Sequence, residues 1–138
     1  MGQRIREIMT SNPSTVEPYT TVVDAARVMK QEDAGVVPVT ENGRLTGMVT
    51  DRDIAIRVVA EGKDPQSTTV QEVASKNLVT LDPEQELDEA LRLMAQHQVR
   101  RLPVVEEDGR LVGIVAQADV ARKGDDTQTG QVVQEISE

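Results

Sequence analysis

The chain has 138 residues, 38% hydrophobic and 28% charged, with a formal net charge of −9 at pH 7. That length holds one ordinary domain with an apolar core. It has no cysteine, which excludes disulfides, thiolate metal sites and a Cys nucleophile. The acidic balance argues against a nucleic-acid partner, whose phosphates need a basic face. Tyr19 is the only aromatic, so the core must be aliphatic and base-stacking platforms are missing. No apolar run is long enough to span a membrane. Met1 to Ile8 is polar and alternately charged, without a signal-peptide core. A cytoplasmic protein with neither membrane nor nucleic acid as partner is the expectation.

In chain order, a short strand is expected around Thr15-Val16, followed by a turn at Pro18. A helix over Thr21 to Gln31 follows, with Val22, Ala25, Ala26 and Met29 on its apolar face at i, i+3, i+4, i+7 spacing. Thr21 with Asp24 reads as a capping box. Val36-Val37-Pro38-Val39 reads as a strand, Asn42-Gly43 as a hairpin turn, and Leu45 to Val49 as the returning strand. A second helix starts near Thr50. The polar stretch 61–69, carrying Gly62 and Pro65, reads as a connector.

The same order then recurs. At an offset of 65, Glu7 falls on Glu72, Asn12 on Asn77, Thr15 on Thr80, Pro18 on Pro83, Met29 on Met94 and Pro38-Val39 on Pro103-Val104. One extra turn residue shifts the offset to 66. Gly47, Val49, Asp53 and Ala55 then match Gly113, Val115, Asp119 and Ala121. The second copy predicts a strand over Val79-Thr80-Leu81, a helix over Glu86 to Gln96, strands at Leu102 to Val105 and Leu111 to Val115, and a helix from about Ala116. The fold class is α/β (α+β), built from two tandem β-α-β-β-α repeats at 4–60 and 70–123, joined by the 61–69 linker. A lone 50-residue unit struggles to bury enough surface, and pairing two copies solves this. The tail 124–138 is acidic. Val132, Val133 and Ile136 are spaced for a short docking helix, and disorder is the alternative reading.

The doubled unit, with Gly35-Val36-Val37-Pro38-Val39, the Asn-Gly turn, Gly47-Met48-Val49-Thr50-Asp51-Arg52-Asp53-Ile54 and Gly113-Ile114-Val115-Ala116-Gln117-Ala118-Asp119-Val120, resembles tandem CBS domains, named after cystathionine β-synthase. Such a pair is called a Bateman module, and the resemblance, to the bacterial stand-alone kind, covers roughly residues 4 to 123. It implies sheets packed face to face as a pseudo-twofold pair, with clefts that bind adenosine-containing ligands (AMP, ADP, ATP, NAD or S-adenosylmethionine). It also implies a disc-shaped homodimer that signals to an unknown protein partner through a conformational change.

The residues themselves suit a nucleotide. Thr50 and Asp53 stand where a buried strand becomes a helix, an end that favours phosphate, and a carboxylate can accept both ribose hydroxyls. Gly47 lets backbone approach a neighbour. Without an aromatic, adenine would sit among Val16, Val36, Val37 and Met48. Thr50-x-x-Asp53 is equally a helix cap, and both readings stand at this point. In copy two Ala116 replaces Thr50 while Asp119 remains, so unequal sites are expected. Arg100 and Arg101 replace Gly35 and Val36. An Arg pair before Leu102-Pro103-Val104 resembles the family's phosphate-contacting basic position, and a surface salt bridge is the alternative. Asp51 and Asp53 could help hold Mg²⁺ with bound ATP. No intrinsic metal site is expected from one histidine, and His97 reads as a surface residue. No catalytic constellation is evident, so no catalytic residue is assigned and no enzyme activity is expected.

Overall fold

The computed structural model describes residues 2–123, and the tail expected to be acidic and either disordered or helical lies outside them. The elements are α1 (Ile5–Ile8), β1 (Thr10–Ser11), α2 (Val22–Glu32), β2 (Val36–Glu41), β3 (Arg44–Thr50), α3 (Asp51–Ile54), α4 (Leu87–His97), β4 (Arg101–Val105), β5 (Leu111–Ala116) and α5 (Gln117–Lys123). A π-helical turn, Ala55–Val59, continues α3, and a 3₁₀ turn covers Val70–Glu72.

Two compact units form, and their boundaries differ from those of the sequence repeats. One unit is Ser14–Leu78; the other joins the chain up to Pro13 with the chain from Val79 onward. Each repeat's leading segment is therefore built into the other unit. Ile5 and Ile8 are buried with Leu81, Leu87, Leu91 and Met94. Their counterparts Val70 and Val73 are buried with Val22, Ala25, Val37 and Val49. The 3₁₀ turn is held by Glu72, whose carboxylate accepts from the Thr69 amide at 2.7 Å and the Thr69 hydroxyl at 2.9 Å. These bonds, the amide's foremost, hold the Glu72 carboxyl below its ordinary range.

In the Ser14–Leu78 unit β2 and β3 form an antiparallel hairpin with Val36 opposite Thr50 and Val37 opposite Val49, and a register shift after Val39. Asn42 and Gly43 both take positive φ, as their turn requires. The strand expected at Thr15-Val16 contracts to one residue. Val16 donates to the Pro38 carbonyl and accepts from Thr40, and the Pro18 that follows has no N–H for a longer ladder. Leu81 does the same between Pro103 and Val105 in the other unit, ahead of Pro83. The Thr21 box is half formed. Asp24 N donates to Thr21 Oγ1 at 3.3 Å, but the Asp24 carboxylate pairs with Arg27 instead. The first helical amides are satisfied by the stretch expected as a connector: Val22 N donates to the Thr68 carbonyl at 2.9 Å and Val23 N to Pro65 at 3.1 Å. Thr68 is buried accordingly.

The borrowed segments cross the hairpins at glycines. Met48 and Ser75 exchange two backbone bonds of 3.0 and 2.8 Å beside Gly47. A Cβ on Gly47 would lie 3.1 Å from the Ser75 carbonyl oxygen and 3.3 Å from the Ala74 Cβ. This is the close backbone approach expected there. In the other unit β1 pairs with β5, Thr10 opposite Ile114 and Ser11 opposite Gly113, extending β4–β5 to three strands. A Cβ on Gly113 would lie 2.9 Å from both the Met9 Cγ and the Thr10 carbonyl oxygen.

Gly113→Ala should therefore lower stability by about 1–3 kcal/mol through overpacking against backbone. Ile5→Ala should cost about 2–5 kcal/mol, the loss of a fully buried core residue. Chemical denaturation of the two variants measures both, and near-wild-type midpoints would contradict the exchanged packing.

Candidate functional site

In the Ser14–Leu78 unit, strand β3 ends at Thr50 and α3 begins at once. Thr50 N donates to Asp53 Oδ2 at 3.0 Å, and Asp53 N donates to Thr50 Oγ1 at 3.0 Å. Both halves of the capping box are present. The adjoining Asp51 N donates to the Gly35 carbonyl at 2.9 Å, which joins the helix start to the start of β2. The cap uses one oxygen of the Asp53 carboxylate. The other, Oδ1, lies 3.9 Å from Arg57 Nε, and the Asp53 side chain is only 16% exposed. Arg57 Nη1 in turn donates to the Val73 carbonyl at 3.0 Å.

The four residues expected around adenine divide between two faces of the hairpin. Val16 and Val37 belong to the hydrophobic core. Val36 is directly opposite Thr50 and Met48 opposite Pro38, so Val36, Met48 and Thr50 share the other face. Strand alternation puts Val37 in the core, Val16 packs there with it, and Met48 is buried as well, so of the four only Val36 is partly exposed. An open groove of about 440 Å³ runs beside the same corner, lined by Ala26, Met29, Lys30, Gly35, Asp51 and Ile54. Neither Thr50 nor Asp53 lines it.

The second unit repeats the corner with altered chemistry. Ala116 N donates to Asp119 Oδ2 at 3.0 Å, and Asp119 is buried. Arg101 stands directly opposite Ala116, the place Val36 holds opposite Thr50. The Arg100 carbonyl accepts from Gln117 N at 2.7 Å. Both arginines are exposed. The structure thus sets a guanidinium-bearing residue across from the position that lost its hydroxyl. Gln117 Nε2 is buried with no hydrogen-bond partner among the described residues, an unusual state for an amide donor.

His97 is exposed at the last position of α4. Among the described residues no three His, Cys, Asp or Glu side chains gather as a metal would need. None of the described helices is long and apolar enough to cross a membrane.

The sequence profile of the CBS domain matches residues 5–60 and again 70–126. The chain belongs to the CBS-domain family. This CBS protein is 50% identical over 117 residues to the CBS domain-containing protein YhcV of Bacillus subtilis, an alignment covering 85% of this chain and 82% of that one. Among solved structures it is similar to Hypoxic Response Protein I with two coordinated zinc ions, a protein of Mycobacterium tuberculosis, at 41% identity and a TM-score of 0.80, covering 87% of this chain and 98% of that one. It is also similar to CBSX2 in complex with AMP, at 27% identity and a TM-score of 0.77, covering 88% and 95%.

Sequence reasoning passed over Arg57 as a member of the CBS corner. The signal was present, because an arginine four residues after a helical aspartate faces it. Thr50→Ala should remove the hydroxyl half of the cap and cost about 1 kcal/mol of stability, read by chemical denaturation. No loss would mean that the Asp53 amide is satisfied in another way.

Proposed function

We propose that this chain is a non-catalytic regulatory module that binds an adenosine-containing ligand (AMP, ADP, ATP, NAD or S-adenosylmethionine) at the Thr50/Asp53 corner and signals occupancy to a protein partner by conformational change. The observation that carries this is the Asp53 carboxylate. One oxygen is fixed by the Thr50 amide, and the second, in the first turn of α3 and 3.9 Å from Arg57 Nε, is an acceptor for ribose hydroxyls. Val36, half-buried on the Thr50 face with the buried Met48 on the same face, supplies aliphatic surface for a base. The AMP complex of the similar protein CBSX2 supports the ligand class. ATP would bring Mg²⁺, with Asp51 beside the corner as a ligand for it.

The second corner keeps Asp119 as ribose acceptor and offers Arg101, with Arg100 next to it, to phosphate. The loss of Thr50's counterpart makes it the weaker site. The reading includes a homodimer. A second reading, a dimeric scaffold that binds no nucleotide, is favoured by one observation: the Thr50 and Asp53 side chains already serve as a cap and explain their own presence.

Thermal unfolding with each of the five ligands separates the two. A ligand at a hundred times its dissociation constant adds about 2.7 kcal/mol, and Asp53→Asn should abolish most of that gain at the first site. No shift with any ligand at millimolar concentration favours the scaffold. An Asp53→Asn variant that binds as tightly as the unchanged protein contradicts the corner.

A further inference from the structure

We propose that Arg57 is a positioning residue of the nucleotide corner, holding the open oxygen of Asp53 toward the ligand's ribose diol. The inference rests on the nucleotide reading above and goes beyond it by naming what orients the acceptor.

The geometry has two parts. First, the guanidinium is itself anchored. Its Nη1 donates to the Val73 carbonyl at 3.0 Å, and Val73 is buried in the core, so the charge is held by a fixed point outside its own helix. Second, the separation of 3.9 Å between Arg57 Nε and Asp53 Oδ1 is too long for a hydrogen bond yet short enough for charge attraction. An arginine hydrogen-bonded to Oδ1 would compete with a ligand hydroxyl for that oxygen. At this distance it draws the carboxylate without filling its lone pairs. The Thr50 amide on Oδ2 supplies the other restraint, so the carboxylate is fixed from two sides. Arg57 lies one helical turn beyond Asp53, the spacing that brings side chains i and i+4 together. The second repeat carries a cation, Lys123, at the matching sequence position.

A residue acting through Asp53 should matter only to ligands that use Asp53. Calorimetric titration of AMP and of 2′,3′-dideoxy-AMP into the unchanged protein, Arg57→Ala and Arg57→Lys tests this. Arg57→Ala should weaken AMP by about threefold, the scale of a half-exposed ion pair, and leave the dideoxy ligand unchanged. The preference for the diol then shrinks by the same factor. Arg57→Lys keeps the charge, loses the Nη1 bond to the Val73 carbonyl, and should recover part of it. Equal weakening of both ligands would make Arg57 a merely structural residue and overturn the inference, as would no change in either. If AMP binding is lost on Asp53→Asn but indifferent to Arg57→Ala, this inference falls alone. If the unchanged protein does not bind AMP, the nucleotide reading and this inference fall together.

Discussion

The backbone pairing of Met48 with Ser75, two bonds of 3.0 and 2.8 Å across Gly47, is the constraint on which the first corner depends. It gives β3 a neighbour on its second side and pins the strand two residues before Thr50. The segment that supplies Ser75 also supplies Val73, whose carbonyl anchors Arg57. The same short stretch therefore completes the core, fixes the strand end and holds the cation next to Asp53. Its counterpart, β1 on β5 across Gly113, does the first two of these for the second unit.

The elements that local sequence specifies were legible. Asn42-Gly43 makes its turn because both residues tolerate positive φ, and the spacing of Val22, Ala25 and Met29 makes a helix wherever that face is buried. The exchange of leading segments was not legible. Ile5-Arg6-Glu7-Ile8 and Val70-Gln71-Glu72-Val73 present the same apolar pattern to either unit, so nothing local says which one receives them. The capping of α2 by Pro65 and Thr68 was hidden for a related reason. Backbone carbonyls from a polar stretch leave no trace in side-chain pattern.

The corner was legible as a spacing and ambiguous as a role. Cap and ligand site draw on the same two side chains, and the cap takes Asp53 Oδ2 and Thr50 Oγ1. One expectation could have been refined from sequence alone. Val36 and Val37 are successive strand residues and must point to opposite faces, so they cannot line one pocket together. The two corners also differ more than a single Thr-to-Ala change suggests. The first pairs an aliphatic residue with a hydroxyl across the strands, Val36 with Thr50; the second pairs an arginine with a methyl, Arg101 with Ala116. Duplication kept the acceptor carboxylate in both and divided the surrounding chemistry between a less charged corner and a basic one.

The most direct test of the central claim is a crystal structure of the full chain grown with AMP. The account predicts ribose oxygens within hydrogen-bond distance of Asp53 Oδ1, with the Thr50 amide still on Oδ2. AMP bound without any contact to Asp53 would contradict it.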